Sequence, residues 1–210
     1  MEELKMMDEI KSQSEVREAI GEPSPFTRKK IYDHLNVRMQ AFIRTSPLAM
    51  LATVDDAGFP TISPKGDKAG FIQIKDDKTL LLPELKGNKL AFSLTNIVSS
   101  SNKVGLIFLR PGTAETLRVH GTCRLFRGHD ICTSVAGSTH QALLVLEIEV
   151  SNAYFHCGKA LLRSKAWDAD HHEAPLEVSF GKEIAENTDA TEALIREIDE
   201  GVQSRYITDL

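Results

Sequence analysis

Apolar positions fall into distinct regimes along the chain, each predicting a different kind of element. Up to residue 20 they are sparse. Leu4, Met7 and Ile10 punctuate a polar stretch that ends at Gly21 and runs into Pro23 and Pro25. So thin a stripe predicts a peripheral helix over 2–20 rather than a core element. Ile31, Leu35, Met39 and Phe42 then recur at helical spacing, with Thr27 placed to cap them and Ser46-Pro47 to end them. That second helix should cover one face or end of a sheet.

From Leu48 the period shortens. Leu48 to Val54 is an almost continuous apolar run, as in a strand covered on both faces. Asp55-Asp56-Ala57-Gly58 is a turn, and Phe59 to Ser63 returns as a second strand. Phe71 to Ile74 and Thr79 to Pro83 predict two short strands around Asp76-Asp77-Lys78. A helix to about Ser99 follows, with Leu90, Leu94, Ile97 and Val98 as its apolar face. Further strands are predicted over 103–109, 116–126 and 142–150. In the second of these, Leu117, Val119, Gly121, Cys123 and Leu125 alternate with Thr116, Arg118, His120, Thr122 and Arg124. Gly121 there predicts a bend or a close backbone approach. Residues 128–140 lack a pattern and should be irregular. Ala193, Leu194, Ile198 and Val202 give 181–205 a modest helical period.

Strands joined mostly by short turns predict a mainly β protein, an antiparallel barrel with peripheral helices, rather than a βαβ fold. The chain divides into an N-terminal helical extension (1–25), a barrel domain (26–170) and a C-terminal helical tail (171–210) that packs on the barrel or on a partner.

Composition narrows the function classes. The 210 residues are 41% apolar and 26% charged, which are globular values. A net charge of −5 excludes the strongly basic footprint of a nucleic-acid binder but leaves room for a local basic pocket. No apolar run approaches a membrane span, and Met1-Glu2-Glu3-Leu4-Lys5 lacks a signal peptide's apolar core, so a soluble, cytoplasmic protein is expected. Cys123, Cys132 and Cys157 are odd in number and scattered, which argues against a structural disulfide.

The candidate chemistry gathers in three places. Thr61-Ile62-Ser63-Pro64-Lys65-Gly66-Asp67-Lys68-Ala69-Gly70-Phe71 begins as a strand and should break into a loop. A Ser-x-Lys pair followed by glycines supplies a hydroxyl, an ammonium and approachable amides, which is what an oxyanion needs. A hairpin loop with solvated charges is the plainer alternative. Asn88 is placed to cap the helix that follows, leaving free amides beside Lys89. Lys89, Ser93 and Asn96 share a helical face, either a second anion site or simply an exposed polar stripe. The third place runs from Tyr154 to Asp168, where the sole tryptophan, Trp167, stands near Arg163, Ser164 and Lys165. It is either a wall for a planar anionic ligand or a short helix packed down by its tryptophan.

His156-Cys157 is too weak a signal for a catalytic thiol, because adjacency in sequence does not bring imidazole and thiol together. Asp170-His171-His172-Glu173 has metal-ligand types without zinc-site spacing, and no metal is expected. The dinucleotide G-x-G-x-x-G and the P-loop are both absent.

Four stretches together resemble the pyridoxamine 5′-phosphate oxidase-like, FMN-binding split-barrel family, in its branch of uncharacterised oxidase-related proteins. They are Ser63-Pro64-Lys65-Gly66-Asp67, Gly87-Asn88-Lys89 with Ser93 and Asn96, Glu115 to Gly121, and Phe155 to Ala160 through Trp167. The resemblance covers roughly residues 26–168. It implies a six-stranded antiparallel split barrel that forms a homodimer, with two FMN molecules in clefts between subunits. Carried onto this chain, it implies that Ser63, Lys65, Asn88, Lys89 and Ser93 hold the FMN phosphate. The backbone of Pro64, Gly66 and Asp67 would lie along the flavin ring, with Arg118 near the ring or ribityl chain. Arg163, Ser164 and Trp167 would approach from the partner subunit.

The expected function is an FMN-dependent oxidoreductase moving hydride between the flavin and an unidentified small substrate. The alternatives are a non-catalytic flavin-binding sensor or store, and the same fold holding a deazaflavin or haem. The family's true pyridoxamine phosphate oxidases carry an arginine- and proline-containing motif near the C-terminus. Gln203 to Leu210 has none, so vitamin B6 oxidation is not expected.

Overall fold

The computed structural model describes residues 8–135 and 141–209, so Leu4 and Met7 of the first expected helix lie outside the described residues. Helix α1 spans Gln13–Ile20 and begins at a capping box. The Ser12 hydroxyl accepts from the Glu15 amide, and the Glu15 carboxylate accepts from the Ser12 amide at 2.8 Å. No residue of α1 is buried, as its thin stripe implies.

The single helix expected from Thr27 to Phe42 is instead two pieces. A 3-10 turn, Thr27–Lys30, is followed by an extended stretch and then by α2, Val37–Arg44. Tyr32 exchanges backbone hydrogen bonds with Ala153 at 3.0 and 2.8 Å, and the Leu35 amide donates to the Asp77 carbonyl. Those backbone groups are therefore already bonded and cannot join a helix. The cap is Asn36, whose side chain accepts from the Arg38 and Met39 amides at 3.0 and 3.1 Å; Thr27 caps nothing. Leu35, Met39 and Ile43 are buried, so α2 covers the sheet as its pattern predicts.

The sheet then builds up as β1 (Leu48–Val54), β2 (Pro60–Gly66), β3 (Gln73–Asp76) and β4 (Thr79–Glu84), helix α3 (Phe92–Ser99), β5 (Lys103–Leu109) and β6 (Thr116–Phe126). Helix α4 (His129–Ser134), β7 (Leu144–His156) and helix α5 (Lys159–Arg163) complete the body. Every pairing is antiparallel, and the order is β2-β1-β5-β6-β7-β4-β3. Among the described residues the strands number seven rather than six, because short β3 pairs with β4 across a register shift. The sheet is not closed by hydrogen bonds. It curls until its two ends approach: Lys65 of β2 meets Glu84 of β4 at 2.6 Å although five positions separate those strands in the order. This is the split barrel, and the seam between its ends is where polar side chains collect.

The interior is filled from the inward-facing positions of β1, β4, β5, β6 and β7, with Leu51, Leu82, Leu106, Phe108, Leu117 and Ile148 fully buried. Each such side chain contributes roughly 1.5–3 kcal/mol of burial. Gly121 meets the expectation of a close approach. The β6–β7 register shifts between His120 and Gly121, and a Cβ on Gly121 would lie 2.2 Å from the Glu149 carbonyl oxygen. Residues 129–134, expected to be irregular, are helix α4 because Cys132 and Val135 bury against Ala142 and Val145. Residues 136–140 of that stretch lie outside the described residues.

Beyond α5 a 3-10 turn, Ala169–His171, is followed by an exposed stretch without regular structure, His172 to Val178. Helices α6 (Phe180–Ala185) and α7 (Glu192–Thr208) replace the one helix expected over 181–205 and pack chiefly on each other. Asp199 accepts from the Ser179 hydroxyl and the Gly181 amide at 2.5 and 2.9 Å, which fixes the hairpin. No residue of α7 is buried. Among the described residues, no helix is long and apolar enough to cross a membrane.

Candidate functional site

β2 turns Thr61, Ser63 and Lys65 to the inside, since side chains two apart share a face of a strand. The expected break into a loop comes later, after Gly66. Ser63 and Lys65 thus project together from regular backbone. Above them lies α3. The Ser93 and Ser63 hydroxyls are 2.7 Å apart, and the Asn96 amide donates to the Thr53 and Thr61 hydroxyls, both at 3.1 Å. The Ser93 and Asn96 stripe is therefore not an exposed face; both residues are buried and tie α3 to β1 and β2. Lys89 does not share that face, because the helix begins only at Phe92.

Asn88 does not cap α3 either. Its side chain accepts from the Leu90 amide at 3.0 Å, closing a turn, while Lys89 (φ 65°) and Ala91 (φ 55°) are left-handed. Left-handed backbone at non-glycine residues costs of order 1 kcal/mol or more and persists where surroundings impose it. Two of the three such residues among those described stand on this one loop. The loop bends sharply around a cavity of about 400 Å³, within the range of small-molecule sites, ~300–1,000 Å³. Ser63, Pro64, Lys65 and Gly66 form one wall, Glu84 to Asn88 another, and Phe92 with Ser93 a third. Asp209, just past α7, closes the rim.

Each ammonium in the cavity already faces a carboxylate. Lys65 bonds Glu84 at 2.6 Å with side chains only 15% and 18% exposed. Lys86 bonds Asp209 at 2.8 Å with exposures of 62% and 18%. The Lys86 bond is the main reason the Asp209 carboxyl is held below its usual range.

Of the residues singled out in the sequence, Ser63, Pro64, Lys65, Gly66, Asn88 and Ser93 come together at this cavity. Lys89 is not among its lining residues, and its side chain is solvent-exposed. Asp67 lies just beyond, with its amide on the Pro47 carbonyl at 3.1 Å and one carboxylate oxygen buried without a partner. Gly70 (φ 84°) lets the loop pass so close to the α2–β1 corner that a Cβ would sit 3.0 Å from the Arg44 carbonyl oxygen. Gly70 therefore serves the packing of that loop. Arg118, in the middle of β6, has a buried Nε without a partner and does not line the cavity.

Arg163, Ser164 and Trp167 also lie off the cavity of their own chain. Ser164 donates to the Leu161 carbonyl, and the Trp167 indole donates to the Thr113 carbonyl at 2.9 Å, pinning the segment on the β5–β6 turn. The Cys157 sulfur is 4.0 Å from His156 Nδ1. His171 bridges Asp168, at 2.8 Å, and Lys165 at the surface. No group of three or more metal-binding side chains occurs among the described residues. Burial pushes the Cys123 thiol up to about 12, which leaves it inert.

Glu84, Lys86 and Asp209 went unrecognised in the sequence. Lys86 had a signal, since it directly precedes the Gly87-Asn88-Lys89 run singled out as an anion site. Glu84 and Asp209 had none, because only the curl of the sheet and the return of α7 bring them there.

No curated protein matches this chain. Solved structures that resemble it include HupZ from Group A Streptococcus, at 22% identity and a TM-score of 0.46, covering 57% of this chain and 92% of that one. An FMN-binding protein from Syntrophomonas wolfei matches at 11% identity and a TM-score of 0.45, covering 68% and 95%. A protein related to general stress protein 26, of the pyridoxinephosphate oxidase family, from Clostridium acetobutylicum matches at 14% identity and a TM-score of 0.43, covering 58% and 87%. The family model described as pyridoxamine 5′-phosphate oxidase matches residues 35–157, which take in every strand of the barrel and three walls of the cavity. By that match over more than half its length, the chain belongs to the pyridoxamine 5′-phosphate oxidase family.

Proposed function

We propose that this protein binds FMN at the seam cavity and acts as an oxidoreductase on a small substrate. The observation that carries the reading is the convergence of the Ser63–Ser93 hydroxyl pair, Lys65 and Lys86 on one cavity of a family member. Two hydroxyls, two ammoniums and the Gly87 backbone make a donor set suited to a phosphate, for which charge-assisted hydrogen bonds are the strong contacts. Ser63, Lys65, Asn88 and Ser93 would hold that phosphate, with Lys86 in the place first expected for Lys89. Pro64 and Gly66, on the strand beside Lys65, give backbone for the ring to lie along. When bound, FMN supplies the hydride chemistry, so no side chain here has to act as obligate acid or base. The chain's own residues bind and orient, and Lys65 keeps its position through Glu84.

The dimer is part of the same proposal. Arg163, Ser164 and Trp167 do not reach the cavity of their own chain, which leaves a second copy as their route to it. Phe59 and Ile62 are exposed on and beside the outer face of β2, where such a copy would find apolar surface.

The test is to load purified protein with FMN and read quenching of flavin fluorescence, then extract the ligand and weigh it. FMN should be taken up and recovered. A colourless protein that takes up none overturns the proposal, and a deazaflavin or haem mass replaces its cofactor. Anaerobic reduction then separates enzyme from binding module. Rapid reoxidation by some acceptor is expected, and uniformly slow reaction with oxygen alone would leave a flavin store or sensor.

A further inference from the structure

The seam cavity contains a carboxylate that does not belong to the barrel. Asp209 reaches it from the end of α7 and bonds Lys86 at 2.8 Å, with its own side chain only 18% exposed. Every other wall is barrel strand, α3 or the loops between them. The element that delivers Asp209 is loosely held. Helix α7 has no buried residue, packs chiefly on α6, and joins the body through an exposed stretch without regular structure, His172 to Val178. Asp209 thus stands where an anionic ligand would meet Lys86, on a support that can leave.

We propose that the end of α7 is a displaceable latch, in which Asp209 occupies the Lys86 anion position and a phosphate-bearing ligand releases it. The inference rests on the reading that this cavity takes a phosphate. The two cavity ion pairs differ in kind. Glu84 sits within β4, and both side chains of its pair with Lys65 are largely buried, so that pair is part of the wall. Lys86 is 62% exposed and its partner comes from outside the barrel, so that pair can exchange one anion for another without disturbing the sheet. Because phosphate and Asp209 compete for one ammonium, binding of the ligand and docking of α7 oppose each other, and the coupling is reciprocal. The barrel then signals its own occupancy through the position of the C-terminal hairpin.

The test uses the full chain and Asp209→Asn, which keeps shape and removes charge. FMN, riboflavin and inorganic phosphate are titrated by flavin fluorescence or calorimetry, and amide hydrogen exchange over 192–209 is followed with and without FMN. The variant should bind FMN roughly fivefold or more tightly than the parent, at the lower end of common coupling factors. Riboflavin, lacking the phosphate, should bind both proteins alike. Inorganic phosphate alone should show the same preference for the variant if the phosphate is the competing group. FMN should raise exchange over 192–209 in the parent, and the variant should already exchange faster. Equal FMN affinities with unchanged exchange overturn the latch while leaving the cofactor reading intact. Weaker binding by the variant also overturns it, making Asp209 a positioning residue. Failure of both proteins to bind FMN overturns cavity reading and latch together.

Discussion

β1 and β2 are hydrogen-bonded neighbours whose inward faces have opposite chemistry. Ala49, Leu51 and Thr53 pair across the ladder with Lys65, Ser63 and Thr61. The first set is fully buried, in an interior strand flanked by β2 and β5; the second is half-buried, on the last strand of the sheet. An interior strand can turn only apolar groups inward unless each polar one finds a partner. The end strand faces the seam, where α3 brings Ser93 and Asn96 and β4 brings Glu84. Thr53 marks the border, buried on the apolar strand and satisfied by Asn96 from above. The difference teaches that this barrel keeps its stability and its site on adjacent strands, and that an open seam is what lets the second exist.

The largest expected effect breaks the stability side. Leu51→Ala should lower unfolding free energy by about 2–5 kcal/mol, read from the urea midpoint, whereas Ser63→Ala, its cross-strand partner, should cost about 1 kcal/mol or less. Similar costs at the two positions would erase the distinction between the strands.

On the site side, Lys65→Met should weaken FMN binding by about 1.5–3 kcal/mol, or roughly ten- to a hundredfold, in a fluorescence titration. It also strands Glu84, so the double variant with Glu84→Gln should recover stability without recovering affinity. Recovery of both would show that Lys65 serves the wall alone. Asn96→Ala tests the join between the strands. It leaves the Thr53 hydroxyl buried without its donor and should cost about 1–3 kcal/mol, measured by denaturation, with FMN affinity falling as α3 loosens from β2.

The smallest effect concerns pH. Lys86 holds the Asp209 carboxyl below its usual range, so the contact is fully present above that range and lost as pH falls through the depressed value. Exchange over 192–209, corrected for its intrinsic rate, should rise on acidification from about pH 7 to about pH 3. In Asp209→Asn that component should be absent.

Strand positions were legible because period-two alternation needs only local residues, as in Thr116 to Phe126. The start of the chain's second helix was not, because Tyr32 gives its backbone hydrogen bonds to Ala153, more than a hundred residues away. At the site, Ser63, Lys65 and Ser93 were legible as residue types that bind an oxyanion. Lys89 was drawn in by an expected cap at Asn88, and the turn that Asn88 closes on Leu90 moves the helix start past it.

The sequence by itself determined a mainly antiparallel barrel, its strand-by-strand chemistry and a hydroxyl–lysine pair in search of an anion. Those follow from side-chain period and residue type, which act within a few residues. Only the tertiary structure decided that β2 and β4 meet, that each cavity lysine has a carboxylate, and that one carboxylate arrives from α7. Contacts between groups distant in sequence depend on how far the sheet curls and where a helix returns, and no local pattern encodes either.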